Sequence, residues 1–169
     1  MNERDSAPGG LALIEALVNT LNVETGADTL GTADGRAEFA LAERDAPAAR
    51  TLREALRTVC LAHAGHRPPD DAASVLDRLL AGAPLRVTVD ATGAAALRPV
   101  EEPPGLTARV AAAIATASAN GTWDRLKACE AADCRCVYYD RSPAGRRRWC
   151  SMSVCGARAK MRTYRAKRG

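Results

Sequence analysis

Apolar residues recur at helical spacing through most of the first 120 positions. They lie three and four residues apart in LALIEALVNTLN (11–22). The longest segment with this spacing of apolar residues begins at Pro47 and ends at Gly65. The period of this pattern predicts α-helices, and Gly and Pro mark their ends. The helices predicted in this way cover residues 11–22, 32–45, 47–65, 70–82 and 106–121.

The period changes in one segment, LRVTVDATGAAALRPV (85–100). Here Leu85, Val87 and Val89 alternate with two polar residues, and the ATG triplet supplies a turn, so the segment is expected to form a β-hairpin. The predicted fold class is therefore α+β and mainly α, with a helical N-terminal domain that carries a small β-hairpin and, after residue 121, a small C-terminal module.

The C-terminal module is indicated first by charge. Residues 1–120 contain 11 Arg, no Lys and 16 Asp and Glu, for a net charge of −5, whereas residues 121–169 contain 13 Lys and Arg against 4 Asp and Glu, for a net charge of +9. This separation predicts two functional units and a polyanionic partner for the basic one. A unit of about 49 residues has little core of its own and usually needs a staple.

Cysteines supply a candidate staple. Cys129 and Cys134 are separated by four residues, Cys150 and Cys155 repeat that spacing, and 15 residues lie between the pairs. Two close pairs joined by a hairpin-length segment are typical of a structural zinc site with four thiolate ligands and no open position. Disulfides are the competing interpretation, but nothing in the sequence indicates an oxidising compartment, so one structural Zn²⁺ is favoured.

Four further side chains are of a type that can bind a metal ion. Cys136 lies two residues after Cys134, and a small residue beside the site is favoured over ligand exchange or redox sensing. Cys60 lies in an apolar helical run and is interpreted as a core residue. His63 and His66 are the only histidines, and a solvent-facing helix end is favoured over a second metal site.

Local patterns also predict that the zinc-stapled C-terminal module folds as a knuckle, a hairpin and a helix. The β-prone CVYYD (136–140) and the turn RSPAG (141–145) indicate a hairpin between the cysteine pairs, returning through RRRWC (146–150). A helix is expected from Ser151 onward. Its apolar face would carry Val154, Ala157, Met161 and Tyr164 and pack on the metal site, while its arginines stay in solvent.

Nine cations and no acid occur within residues 146–168. Arginine dominates, which suits phosphate and guanine recognition, so nucleic acid, with duplex DNA favoured, is the predicted partner. RNA stays open because Tyr138, Tyr139 and Trp149 could stack on bases, although a core role for them is favoured. The predicted nucleic-acid contacts are Arg146, Arg147, Arg148, Arg158, Lys160, Arg162, Arg165 and Lys167.

These C-terminal residues resemble a known family. Cys129, Cys134, the turn at Asp140, RRWCSM (147–152) and Cys-Gly-x-Arg (155–158) are similar to the CGNR zinc finger, which in its family follows an N-terminal domain called ABATE. LVNTLN (17–22) looks like the opening helix of that domain. The family is described as putative stress-induced transcription regulators of bacteria. One departure is Ala157, which stands where the family name has Asn and lacks the amide donor and acceptor.

The sequence and the resemblance together predict a cytoplasmic, nucleoid-associated bacterial transcription regulator that is not an enzyme and has no membrane segment. The expected division is a disordered N-terminus (1–10), an ABATE-like domain (11–121) that senses a ligand or dimerises, and a CGNR-like finger (122–169) that contacts DNA. A homodimer and a small-molecule effector are further candidate partners. The alternative function is an RNA-binding or protein-interaction zinc module without sequence-specific DNA binding.

Overall fold

The N-terminal part of the molecule is built from helices whose apolar faces meet around one long helix. The structure, a computed structural model, describes residues 6–66 and 72–168. The helices are α1 (Leu11–Val18), α2 (Ala33–Ala37), α3 (Ala46–His63), α4 (Ala72–Ala81), α5 (Leu106–Ala119) and α6 (Ala157–Ala166). Four of these six lie within the segments in which helical spacing was expected, α3 begins one residue before its predicted segment, and α6 follows Ser151 as predicted.

The core surrounds α3. Leu52 and Leu56 of this helix are buried against Ile14 and Leu17 of α1 and Val110 of α5. Burying each such side chain contributes about 1.5–3 kcal/mol before the loss of conformational entropy is counted. The predicted amphipathic faces therefore account for the arrangement of α1, α3 and α5.

Within the described residues, four strands form two separate antiparallel hairpins. Strands β1 (Leu85–Val89) and β2 (Ala95–Pro99) pair with Val87 opposite Leu97, which confirms the predicted hairpin. Strands β3 (Leu126–Ala128) and β4 (Val137–Tyr139) form the second one, with Ala128 opposite Val137. The first hairpin projects from α5, and Val87 stays 69% exposed.

The second hairpin belongs to the core of the helical part. Leu126, Ala128 and Val137 are all buried in the same apolar cluster as α1, α3 and α5. The basic C-terminal unit is therefore docked on the helical part through buried side chains.

Two predicted helices are shorter than expected. The segment 32–45 forms α2, then reverses at Ala40, whose φ is +57°, and ends in a single 3₁₀ turn at Glu43–Asp45. The reversal turns Phe39 into the core, where it is 3% exposed, so tertiary burial overrides the local helical pattern. Helix α1 ends at Val18 rather than at residue 22 because Asn19 leaves the helix to contact β4.

The predicted disordered N-terminus covers residues 1–10, of which 1–5 lie outside the described residues. Ala7 is buried, and its amide donates to the Glu15 carboxylate at 2.6 Å, so this part of the segment is held against α1. Burial raises the pKa of Glu15. The start of the predicted helix 70–82 also falls outside the described residues. Across those that are described, no helix combines the length and the apolar character needed to cross a bilayer.

Candidate metal centre

The first cysteine pair lies on the loop that joins β3 to β4. The amide of Cys129 donates to the Cys136 carbonyl at 2.8 Å, which continues the hairpin by one step, and the Cys134 amide donates to the Ala131 carbonyl at 2.9 Å. Arg135 has a left-handed backbone with φ of +53°. This tight knuckle presents both sulfur atoms on one side of the loop.

The predicted hairpin between the cysteine pairs is wrong in its pairing. Strand β4 pairs with β3, so the hairpin encloses the first cysteine pair, and residues 146–150 are not a strand. The Glu130 amide donates to the Arg148 carbonyl at 2.9 Å, and this single bond brings the returning chain beside the knuckle. The β-prone residues of β4 therefore pair with the upstream strand β3, which lies in the core.

The second cysteine pair lies on an irregular turn before α6. A π-helical turn spans Met152–Gly156, and the Ser151 hydroxyl caps it by accepting from the Val154 amide at 3.3 Å. Gly156 approaches Met152 closely, since a Cβ there would lie 3.1 Å from the Met152 sulfur. The helix was expected to begin at Ser151, which is where the structure places the cap.

The two pairs converge. The sulfur atoms of Cys129, Cys134, Cys150 and Cys155 all lie within 4.8 Å of one another. The Cys150 sulfur is 3.8 Å from that of Cys134 and 3.8 Å from that of Cys155. Ligands at about 2.3 Å from a shared tetrahedral zinc are about 3.8 Å apart, so the spacing and the thiolate donor set fit zinc.

The electrostatics of the cluster favour a cation at its centre. The hydrogen bond with Cys150 lowers the pKa of Cys129 to about 5, and the same bond raises the pKa of Cys150. Thiolates this close repel one another, so a single cation is needed before all four can be ionised together. Four protein ligands leave no position for water or substrate, which is the arrangement of a structural site.

Asp140 organises the turn that leads to the second pair. Its buried carboxylate accepts from the Ser142 hydroxyl at 2.6 Å, the Arg147 amide at 2.9 Å and the Lys127 ammonium at 3.2 Å. Burial alone would raise the pKa of Asp140, but these bonds outweigh it and lower the pKa to about 2. The resemblance included the turn at Asp140, whereas no sequence pattern predicted that Lys127 would be buried beneath it.

Three side chains of the helical part hold the knuckle and its strands. Asn19 makes two hydrogen bonds of 2.8 Å with the amide and carbonyl of Val137. Arg57, which is 6% exposed, donates to the carbonyls of Val18 and Arg135 at 2.8 and 2.7 Å. Sequence analysis missed both contacts; the only signal was the position of Asn19 within the LVNTLN motif.

His63 is the third of these side chains. Its Nδ1 donates to the Leu126 carbonyl at 2.8 Å, and its ring meets Trp123 edge-on at 5.0 Å. Burial lowers the pKa of His63. The interpretation of this residue as solvent-facing is wrong, because the helix end docks on β3.

The predicted nucleic-acid contacts fall into three groups. Arg147 is half-buried, donates to the Cys150 carbonyl at 2.7 Å and stacks on Tyr138. Three others face carboxylates: Arg148 pairs with Glu130, Arg158 with Glu24 at 3.1 Å, and Arg162 with Asp133 at 3.8 Å. For the remaining four, no described carboxylate lies within ion-pair distance: Arg146, Lys160, Arg165 and Lys167.

Helix α6 does not pack on the metal site, contrary to the expectation for its apolar face. Met161 and Tyr164 are 52% and 53% exposed, Val154 just before the helix is 48% exposed, and α6 has no buried residue. Helix α6 lies beside the knuckle, where Arg162 pairs with Asp133, but most of its surface is left in solvent.

Two family models match the chain. The model named ABATE, with the description putative stress-induced transcription regulator, matches residues 11–121, and the CGNR zinc finger matches residues 125–168. No curated protein is similar enough to match. Together with the sulfur geometry, the second match confirms the predicted cofactor, one structural zinc.

Proposed function

Because this chain belongs to the ABATE family of putative stress-induced transcription regulators and carries a CGNR zinc finger, we propose that it regulates transcription by binding duplex DNA through its C-terminal module. We divide the chain after residue 121, with the helical domain before this point and the finger after it. The proposal places the protein with the nucleoid in the bacterial cytoplasm.

The zinc ligands in this proposal are Cys129, Cys134, Cys150 and Cys155. Support comes from the mutual approach of their sulfur atoms and from the burial of two of them, Cys129 and Cys155. The zinc would act only as a staple, since four thiolates fill its coordination. The chain itself orients the ligands, through the knuckle hydrogen bonds and the Asp140 turn.

The observation that carries the DNA proposal is the positive charge of α6 together with its exposure to solvent. Residues 157–168 contain six Lys and Arg and no Asp or Glu, and α6 has ten residues with none buried. An isolated helix of this length is marginal in water, and α6 gains little from packing. A polyanion would neutralise its charge, and the phosphates would release counterions on binding.

The predicted nucleic-acid contacts differ in their exposure to solvent and in whether a carboxylate already pairs with them. Arg146, Lys160, Arg165 and Lys167 are exposed and lack a described carboxylate partner, so they are proposed as the primary phosphate contacts. Arg148, Arg158 and Arg162 would exchange a carboxylate for a phosphate. Arg147 is assigned to the support of the finger, because its guanidinium is engaged by Tyr138 and Cys150.

Base readout would come from the same helix. Val154, Met161 and Tyr164 are exposed beside the Arg158, Arg162 and Arg165 stripe, and apolar side chains of this kind can contact thymine methyl groups. Ala157 opens α6 and is exposed, so the missing family amide would alter contacts made by the helix rather than its fold.

The helical domain is proposed to control the finger by binding a small effector or a second copy. A hollow of about 300 Å³ lies between the α2–α3 connection and the start of α5, with Leu41, Leu52 and Leu106 on its walls. The exposed Val87 and Val89 of the first hairpin offer a surface for a second copy. Light scattering after size exclusion, with and without candidate effectors, separates these roles.

The test of DNA binding is the salt dependence of affinity for a labelled duplex, measured by fluorescence anisotropy with zinc-loaded protein. Four phosphate contacts predict a slope of log K against log salt of about −3.6 or steeper. Arg165→Ala should reduce the magnitude of that slope by about 1. The charge-matched control is Arg44→Ala, because Arg44 is 87% exposed on the helical domain.

Absence of binding to any duplex, or affinity that does not change with salt, contradicts the proposal. Binding to single-stranded RNA in preference to duplex DNA would favour the alternative function instead. An equal effect of Arg44→Ala and Arg165→Ala would show that net charge, and not α6, drives the association.

A further inference from the structure

The metal centre contains one sulfur more than a tetrahedral zinc uses. The Cys136 sulfur lies 3.4 Å from that of Cys134. Both Cys134 and Cys136 are partly exposed, whereas Cys129 and Cys155 are buried. The fifth thiol is therefore in contact with the more accessible edge of the cluster.

Cys136 is held in this position by the surrounding chain. Its carbonyl accepts from the Cys129 amide at 2.8 Å. The residues on either side are fixed from the helical domain, since Arg57 binds the Arg135 carbonyl and Asn19 binds both backbone groups of Val137. The thiol is thus kept next to a ligand sulfur by contacts that do not depend on the metal.

We propose that Cys136 is the resolving thiol of a peroxide-sensitive switch that opens the zinc site by forming a disulfide with Cys134. The inference rests on the proposed zinc ligands and adds a modification site to them. The substrate is a hydroperoxide, with hydrogen peroxide as the simplest member.

The chemistry has two steps. The Cys134 thiolate attacks one peroxide oxygen, the O–O bond breaks, and a sulfenic acid and hydroxide form. The Cys136 sulfur then attacks the sulfenic sulfur, forming the S–S bond and releasing water as the Cys136 proton joins the leaving hydroxyl. The two sulfur atoms together lose two electrons, which reduce the peroxide to one water and one hydroxide.

The disulfide would disconnect the two halves of the finger. Cys134 can no longer supply a thiolate, so the zinc is left with three ligands and its affinity falls. Once the zinc leaves, Cys150 and Cys155 lose their link to the knuckle. Helix α6 has no buried residue, so it is then held mainly by exposed ion pairs, those of Arg158 with Glu24 and of Arg162 with Asp133. Reduction of the disulfide followed by zinc would restore the site.

Zinc release is the direct readout. The full chain loaded with zinc is treated with a small excess of hydrogen peroxide, and released metal is followed with a chromogenic chelator. We expect Cys136→Ala to retain one zinc per chain and to release it at least tenfold more slowly than wild type. The matched control is Cys60→Ala, because Cys60 is fully buried in α3 and burial raises its pKa to about 12. This control should behave as wild type.

Peptide mapping identifies the bond. Trypsin cleaves after Arg135 and so separates residues 128–135 from 136–141. After oxidation these two peptides should remain joined, with fragmentation placing the link between Cys134 and Cys136, and a reductant should separate them.

Two results would overturn the inference. If Cys136→Ala loses zinc before any oxidant is added, Cys136 is a ligand and not a resolving thiol. If the variant releases zinc as fast as wild type, or if no Cys134–Cys136 link is found, oxidation proceeds without it. Neither readout involves nucleic acid, so a failure of DNA binding leaves this test intact.

Discussion

The two hydrogen bonds of Asn19 offer a sharp test of how the finger is attached. Asn19→Ala removes a side chain that binds both the amide and the carbonyl of Val137 at 2.8 Å. The variant leaves these two backbone groups at the edge of β4 without their partner, next to the buried side chain of Val137. No charge and little apolar area change with this substitution.

The expected cost follows from the groups left behind. A buried backbone donor or acceptor without a partner costs about 1–3 kcal/mol, and partial access of water to this edge favours the lower half of that range. Two such groups give a loss of about 2–4 kcal/mol in the free energy of unfolding. For a chain of 169 residues this corresponds to a Tm lower by about 5–15 °C.

Urea unfolding of zinc-loaded protein, followed by tryptophan fluorescence and by far-UV circular dichroism, measures this cost. Trp123 and Trp149 report on the C-terminal part, whereas dichroism reports mainly on the helices. The matched control is Asn120→Ala at the exposed end of α5, which should change stability by less than about 0.5 kcal/mol. If Asn19→Ala is as mild as this control, the finger is not held to the helical domain by the contact described.

Two further substitutions address charge. Glu24→Gln removes the 3.1 Å pair with Arg158, and because an exposed pair is worth about 0–1 kcal/mol, duplex affinity should rise up to about fivefold in an anisotropy titration. Unchanged or weaker binding would argue against Arg158 as a contact. Asp140→Asn leaves Lys127 buried without its partner and should cost about 3–5 kcal/mol at pH 7 by urea unfolding. Since folding lowers the pKa of Asp140 from 3.8 to about 2, the contribution of its charge is present in full only above about pH 5 and is lost as the pH falls through 2, so the difference between variant and wild type should narrow over this range.

Sequence periodicity located the helices and the first hairpin because their burial follows local pattern. It failed where a distant contact decides the conformation. Phe39 is drawn into the core and breaks the helix predicted over 32–45, and Asn19 leaves α1 to bind Val137. Helical periodicity reveals neither event, since each depends on a partner far along the chain.

At the metal centre, spacing was enough to select the four sulfur atoms that converge, because close pairs on short loops constrain geometry strongly. The pairing of β4 was wrong because a β-prone segment has two possible partners, and only the core that receives Val137 favours β3. The direction of α6 also escaped prediction. Helical spacing showed an apolar face, but the π-helical turn before it determines where that face points.

The central claim is that one zinc, held by four thiolates, fixes a cationic helix for nucleic acid. The most direct measurement is duplex affinity as a function of zinc content, with metal removed by a strong chelator and then returned. We predict one zinc per chain, a loss of most salt-dependent binding on removal, and recovery when zinc is restored. Metal-free protein that binds the duplex as tightly as the zinc-loaded protein would contradict the claim.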